Sequence, residues 1–180
     1  MKKGQKSLKI TLFLAMLTAL SIILGKYLAI RGGDVMRFSL ENMPIIFAGV
    51  AFGPVAGAAV GLVADLVGCV MVGYTINPIV TIGATVIGAL SGMIFRLTEK
   101  ISIDNRLRLP ITVAFAHIVG SIIIKTIGLA AYYDMPFYIL LLWRTLNYVI
   151  VGALDGIAIY TLLKSKGVQI ELNKLSEDVK

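Results

Sequence analysis

The chain has 180 residues, 58% of them hydrophobic and only 15% charged, with a mean hydropathy of +0.90; a soluble domain averages about 25% charged residues, so lipid is the solvent this composition fits. The net charge of +7 does not indicate nucleic acid, because the basic residues sit in the tails and one loop and form no aromatic-studded groove. One cysteine, Cys69, and one histidine exclude a disulfide framework and a Cys/His metal centre, and Cys69 reads as a small buried apolar residue.

The first apolar run, Leu8 to Ile30, opens on a basic segment of Lys2, Lys3, Lys6 and Lys9. It is too long for a signal-peptide core and lacks a small-x-small cleavage site, so it is predicted to span a hydrocarbon core of about 30 Å. Residues 43–52 and 55–71 follow, split by Gly53-Pro54. The first of these is too short to span alone at about 1.5 Å per residue and predicts a short tilted helix before a tight turn. The fourth run, 78–97, opens on a proline suited to a helix N-terminus. The fifth covers 110–131 and the sixth 135–163, the latter long enough to tilt. The expectation is a single all-α membrane domain over residues 1–180, a six-transmembrane-helix bundle with no appended soluble domain and a short polar tail after Lys164.

Loop charges orient the bundle. Four lysines cluster at the start of the first run; Arg96, Lys100, Arg106 and Arg108 lie at and after the end of the fourth; Lys164, Lys166, Lys174 and Lys180 follow the sixth. The other side carries only Lys26, Arg31 and Arg37. The positive-inside rule therefore predicts both termini in the cytoplasm.

Lipid provides no hydrophobic drive between helices, so small residues mark close packing. Gly57-x-x-x-Gly61 and Gly88-x-x-x-Gly92 read as contacts within the bundle. Ala15-x-x-x-Ala19 on the first run fits packing or a membrane partner equally, since that run has few polar groups to bury.

Four charges stand inside apolar runs: Asp65, Lys125, Arg144 and Asp155. Charges at that depth are costly and face a bundle interior, where they pair or meet a substrate. Arg144 and Asp155 are eleven residues apart on one helix, within about 20° of the same stripe, with Tyr148 on it and Asn147 beside it. Lys125 and Arg144 each fall roughly 12 Å from the external end of their helices, level with Asp65. An ion pair of Asp65 with Arg144 or Lys125 that only fixes register is one reading. A ligand pocket completed by Trp143, Asn147, Tyr148 and Tyr74 is the other. His117 reads as a satisfied interior histidine, and Asp155 as a group with a structural partner role. The first external loop begins with turn chemistry, Arg31-Gly32-Gly33-Asp34. It continues through a β-favouring stretch in which Arg37 and Ser39 point one way, Phe38 and Leu40 the other. This loop and the loop 72–77 are predicted to cover the bundle mouth, although either also fits a solvated connector. Gly120 to Thr126 lacks the glycine before the lysine of a phosphate loop and lies in an apolar run. With no nucleophile elbow and no internal repeat of the secondary-transporter kind, no catalytic role is expected.

These features resemble the substrate-binding S components of energy-coupling factor (ECF) vitamin transporters. The resemblance rests on the six-helix layout, Ala15-x-x-x-Ala19, the run Arg37-Phe38-Ser39-Leu40-Glu41-Asn42-Met43-Pro44-Ile45, and Ala48 to Pro54 with its Phe-Gly-Pro turn. It continues through Gly57-Ala58, Ala64-Asp65, Asn77-Pro78 and Gly83 to Gly92. The stretch from Arg37 to Asp65 looks most like the folate-specific members. The resemblance implies a cell-membrane protein that binds folate outside without a cofactor. It also implies joining a transmembrane T component through Ala15 and Ala19, and two cytoplasmic ATPases. Folate suits the residues: a pterin edge matches one carboxylate such as Asp65, and flat rings suit Trp143, Tyr148, Phe38 and Tyr74. A dianionic glutamate tail suits Arg144, Lys125 or Arg37. Riboflavin, thiamine or biotin on the same scaffold is the nearest rival, ahead of a stand-alone secondary transporter or a membrane scaffold.

Overall fold

The computed structural model describes residues 3–32 and 36–177, so Gly33, Asp34 and Val35 of the predicted turn lie outside the described residues. The chain opens with α1, Lys3–Ile22, which runs on into a π-helical turn, Ile23–Tyr27. Two short strands follow, β1 (Ile30–Gly32) and β2 (Met36–Phe38). They pair antiparallel in the register Ile30 to Phe38, Arg31 to Arg37 and Gly32 to Met36. The β-favouring stretch thus forms one strand of a two-stranded antiparallel pair, and the other elements among the described residues are helical. Next come α2 (Asn42–Phe52), α3 (Pro54–Met71) and α4 (Pro78–Lys100). The following span is one continuous rod in three parts: α5 (Asn105–Ala116), a π-helical stretch His117–Ile124, and α6 (Lys125–Tyr133). The last elements are α7 (Phe137–Lys164) and α8 (Lys166–Glu177).

Among the described residues, five helices are long and apolar enough to cross a membrane: 8–27, 54–71, 78–100, 106–132 and 137–164. The 11 residues of α2 rise only about 16 Å, short of a ~30 Å core. Apolar on every side, α2 is the buried kind of helix: Ile45, Ile46, Phe47 and Ala48 are each 2% exposed or less. They form the centre of the core together with Val60, Ile87, Val113, Ala116 and Ile159.

One helix start differs from the sequence-based expectation, and polar capping is the reason. Asp104 caps α5 by accepting a bond from the Arg106 backbone N–H at 2.9 Å, so the fifth span starts before Arg106 and Arg108 and contains Pro110 in its second turn. Those two arginines belong to a helix end rather than a loop. Asn77 caps α4 in the same way, accepting from Ile79 N at 3.1 Å and Val80 N at 3.3 Å, and that helix starts at Pro78 as the sequence predicts.

The glycine repeats close the bundle centre. A Cβ on Gly88 would run into the carbonyl of Gly57, and one on Gly57 into the carbonyl of Gly88. Backbones of α3 and α4 therefore touch directly, as small-residue packing allows. Between α2 and α3, Gly53 takes φ of 98°, a left-handed value that favours glycine, and Pro54 starts the next helix at once. The α2–α3 corner follows from that dipeptide.

Candidate functional site

At the end of the bundle under the hairpin, a cavity of about 120 Å³ is lined by Lys26, Arg37, Glu41, Asp65, Lys125 and Arg144, with Tyr74 and Tyr148 among the remaining walls. Six sequence-predicted site residues thus meet here: Asp65 from α3, Lys125 from the start of α6, Arg144 and Tyr148 from α7, Arg37 from β2, and Tyr74 from the α3–α4 loop. Arg37 and Ser39 both line it, as strand alternation requires, whereas Phe38 does not. Trp143 is also outside the lining and is 39% exposed. Asn147 is buried and serves the site indirectly, donating through Nδ2 to the Arg37 carbonyl at 2.8 Å and so pinning β2 to α7.

Glu41 is the residue that sequence reasoning missed. It stands between β2 and α2, where no apolar run marks it, yet it organises the cavity. Its carboxylate accepts from Lys125 Nζ at 3.2 Å and from Arg37 at 3.1 Å, and its carbonyl accepts from Ser21 Oγ at 2.6 Å. Burial alone would push the Glu41 carboxyl up, but Lys125, Arg37 and Lys26 outweigh it and hold the group well below the usual carboxylate range. Lys125 thus pairs with Glu41.

Lys26 corrects the loop assignment. It is not a solvated external charge: its side chain is 7% exposed and its Nζ lies 4.0 Å from Asp65 Oδ1. The π-helical turn at the end of α1 carries it inward, where it also donates to Cys69 Sγ at 3.6 Å. Cys69 is buried as expected, but it sits on the cavity wall. The remaining oxygen of Asp65 accepts from Thr81 Oγ1 at 2.7 Å. The Asp65 carboxylate is therefore engaged by Lys26 and Thr81.

The arginines are held from behind. Arg144 donates to the Ser121 carbonyl at 2.7 Å and lies over the Tyr148 ring at 5.2 Å. Arg37 donates to the Gly25 carbonyl. In both, Nε is buried with no acceptor among the described residues. An unmet buried donor is costly, so each arginine keeps a directed bond to offer.

Below the cavity a buried polar chain continues. Lys125 Nζ donates to Asn42 Oδ1 at 3.5 Å, and Asn42 Nδ2 to Ser121 Oγ at 3.5 Å. Ser121 Oγ is 3.2 Å from His117 Nδ1. His117 Nε2 is 3.0 Å from Asp155 Oδ2. His117 and Asp155, read as interior groups from the sequence, are each other's partner.

The model of the family described as "ECF transporter, substrate-specific component" matches residues 9–163. The folate transporter FolT of Clostridium novyi (strain NT) is 22% identical over 179 residues, covering 96% of this chain and 98% of its own length. Among solved structures, FolT bound with folic acid superposes with a TM-score of 0.64 at 21% identity, covering 83% of this chain and 89% of that one. The S component for biotin from an ECF-type ABC transporter gives 0.69 at 21% identity, covering 94% and 98%. A further S component of a bacterial ECF transporter gives 0.67 at 21% identity, over 88% and 95%.

Proposed function

Because this chain belongs to the substrate-specific components of ECF transporters, multi-pass, non-catalytic subunits of the prokaryotic cell membrane, we propose that the vitamin it captures is folate. It would then deliver folate through a complex with a transmembrane T component and two ATPases. The observation that carries the reading is the charge of the cavity. Four cations (Lys26, Arg37, Lys125, Arg144) face two carboxylates (Glu41, Asp65), a surplus of two positive charges. A dianionic glutamate tail neutralises that surplus, and the two arginine Nε donors offer it directed bonds of the strong, charge-assisted kind. Asp65 or Glu41 then remains to read the pterin edge, with Tyr74 and Tyr148 as its flat neighbours. Thiamine, itself cationic, fits this cavity poorly. The folate transporter relative, similar over nearly the whole chain, supports the same choice.

The cavity at about 120 Å³ is smaller than the roughly 300 Å³ of a pocket enclosing a drug-sized ligand. Folate entry therefore requires the hairpin and the α3–α4 loop to swing outward, so they act as gates. Biotin, with one carboxylate and a smaller body, is the second reading, favoured by that volume and by the likeness to the biotin S component. In this reading both termini lie in the cytoplasm and α2, despite its short rise, is the sixth crossing. Lysines of the N-terminal tail and basic residues around Arg96 to Arg108 mark the inner side, and the cavity lies at the opposite end. Ala15 and Ala19, both exposed on α1, offer the T component a smooth face.

Calorimetric titration of the purified chain in detergent separates the vitamins. Saturable folate binding at or below micromolar, with biotin silent, is the expected result. Biotin binding with no folate heat would overturn the folate assignment, and unchanged folate affinity in both Asp65→Ala and Arg144→Ala would remove this cavity as its site.

A further inference from the structure

A second, larger cavity of about 520 Å³ opens between α5 with its π-helical continuation and α7. It contributes nothing to the charged cavity except a shared wall at Tyr148. Its lining is apolar along most of its length, from Pro110, Ala114 and Ile118 on one wall to Val149, Gly152 and Gly156 on the other. Gly156 makes this room: a Cβ there would meet nothing within 4 Å. The groove extends from Arg106 to Ile122 along one rod, about 24 Å at 1.5 Å per residue. That exceeds the ~15 Å half-thickness of a hydrocarbon core, so it runs from one membrane surface past the midplane. Its lips are lipid-exposed, with Ile118 47%, Val149 68% and Ile157 64% exposed.

What identifies the occupant is the mouth. Arg106 stands there on α5, exposed. Across from it Tyr160 lines the rim, with Lys164 Nζ 4.6 Å over its ring. The nearby carboxylate, Asp104, is taken up in capping α5. Two cations and an interfacial tyrosine over a long apolar slot are the parts that hold an anionic headgroup above its acyl chain. We propose that this groove binds one anionic phospholipid of the leaflet that meets the start of α5, its phosphate between Arg106 and Lys164 and one acyl chain along Gly152 and Gly156. The site stands apart from the vitamin reading and from the Ala15/Ala19 face, which lies on α1.

Native mass spectrometry of the full chain, relipidated with equal phosphatidylglycerol and phosphatidylcholine, tests this. The wild type should retain one phosphatidylglycerol in preference to phosphatidylcholine. Arg106→Gln with Lys164→Gln should reduce the preference by roughly 25-fold, about fivefold per lost cation. Gly156→Leu, which fills the groove, should abolish retention of either lipid while leaving thermal stability near wild type, and Ala114→Leu on the facing wall should do the same. Retention unchanged in both groove-filling variants would place any bound lipid elsewhere. No retained lipid in the wild type, or normal retention with lost association of a partner membrane protein in Gly156→Leu, would also overturn the assignment.

Discussion

Replacing Glu41 by Gln removes the charge that Lys125 and Arg37 share, and the geometry fixes how much this should cost. Lys125 is 5% exposed in its side chain, so its ammonium cannot turn to water. Breaking a buried pair from one side costs about 3–5 kcal/mol. The glutamine amide oxygen still accepts one bond, and Asn42 Oδ1 stays at 3.5 Å. Arg37, 34% exposed, also keeps the Gly25 carbonyl. The low end, about 3 kcal/mol, therefore applies, which lowers Tm by roughly 6–12 °C for a chain of this size. Adding Lys125→Met removes the stranded charge and should restore most of that loss, since replacing both partners of a buried pair is often nearly neutral. The sign of the pH effect follows from the depressed Glu41 carboxyl. Its contribution is present above the unfolded value of 4.5 and is lost as pH falls through the folded value below it. The Tm gap between wild type and Glu41→Gln should stay constant from pH 8 to 5 and close under more acid conditions. Thermal unfolding of the purified proteins in detergent reads all three. A Glu41→Gln variant within a degree of wild type, or a double variant as unstable as the single, would refute the pairing argument.

Lys125→Met and Arg144→Gln should each weaken folate binding by roughly 10- to 150-fold, the range for a lost hydrogen bond to a charged group of about 1.5–3 kcal/mol; calorimetry with both variants near wild-type affinity would count against a tail-binding role. Leucine at both Ala15 and Ala19 should abolish vitamin uptake in cells yet leave vitamin binding to the isolated chain intact, and normal uptake with normal complex assembly would exclude that face as the partner contact. Gly88→Ala drives a methyl into the Gly57 carbonyl and should cost about 1–3 kcal/mol as overpacking. Gly156→Ala, with open space around it, should be neutral or gain up to about 1 kcal/mol of helix propensity; equal melting shifts for the two would contradict the α3–α4 contact. Trp143, outside the cavity, should show only a small fluorescence change with saturating ligand, and strong quenching would require the rim of α7 to join the site.

Much of this architecture is legible without coordinates because lipid simplifies the code. Long apolar runs mark the spans, and a charge within one must turn inward, which brought Asp65, Lys125 and Arg144 to one level; strand alternation foretold the facing of Arg37 and Ser39. Three features escaped for physical reasons. Glu41 lies in a polar turn, and its importance comes from a contact with Lys125 84 residues away, which no local pattern encodes. Lys26 stands near the outer end of an apolar run, where a lysine ordinarily snorkels to water, but the π-helical turn redirects it inward. Asn147 shares the helix face of the site residues but is consumed by the hairpin backbone. The partner of Lys125 was misjudged for the same reason as Glu41 was missed, since spacing supplies a level in the membrane and not a pairing.

The π-helical stretch His117–Ile124 has a consequence for how this lineage can change length. An ordinary span that loses one residue turns everything beyond the loss by about 100°, sending half its inward residues to lipid. A π-helical run already carries surplus backbone per turn, so a one-codon deletion among Ile122, Ile123 and Ile124 can be absorbed by tightening to the α-helical ladder. Lys125 and all of α6 then keep their places. The stretch works as an expansion joint set between the buried His117–Asp155 pair and the charged mouth, a part of this rod where a one-residue deletion is survivable without rewriting the cavity's charge.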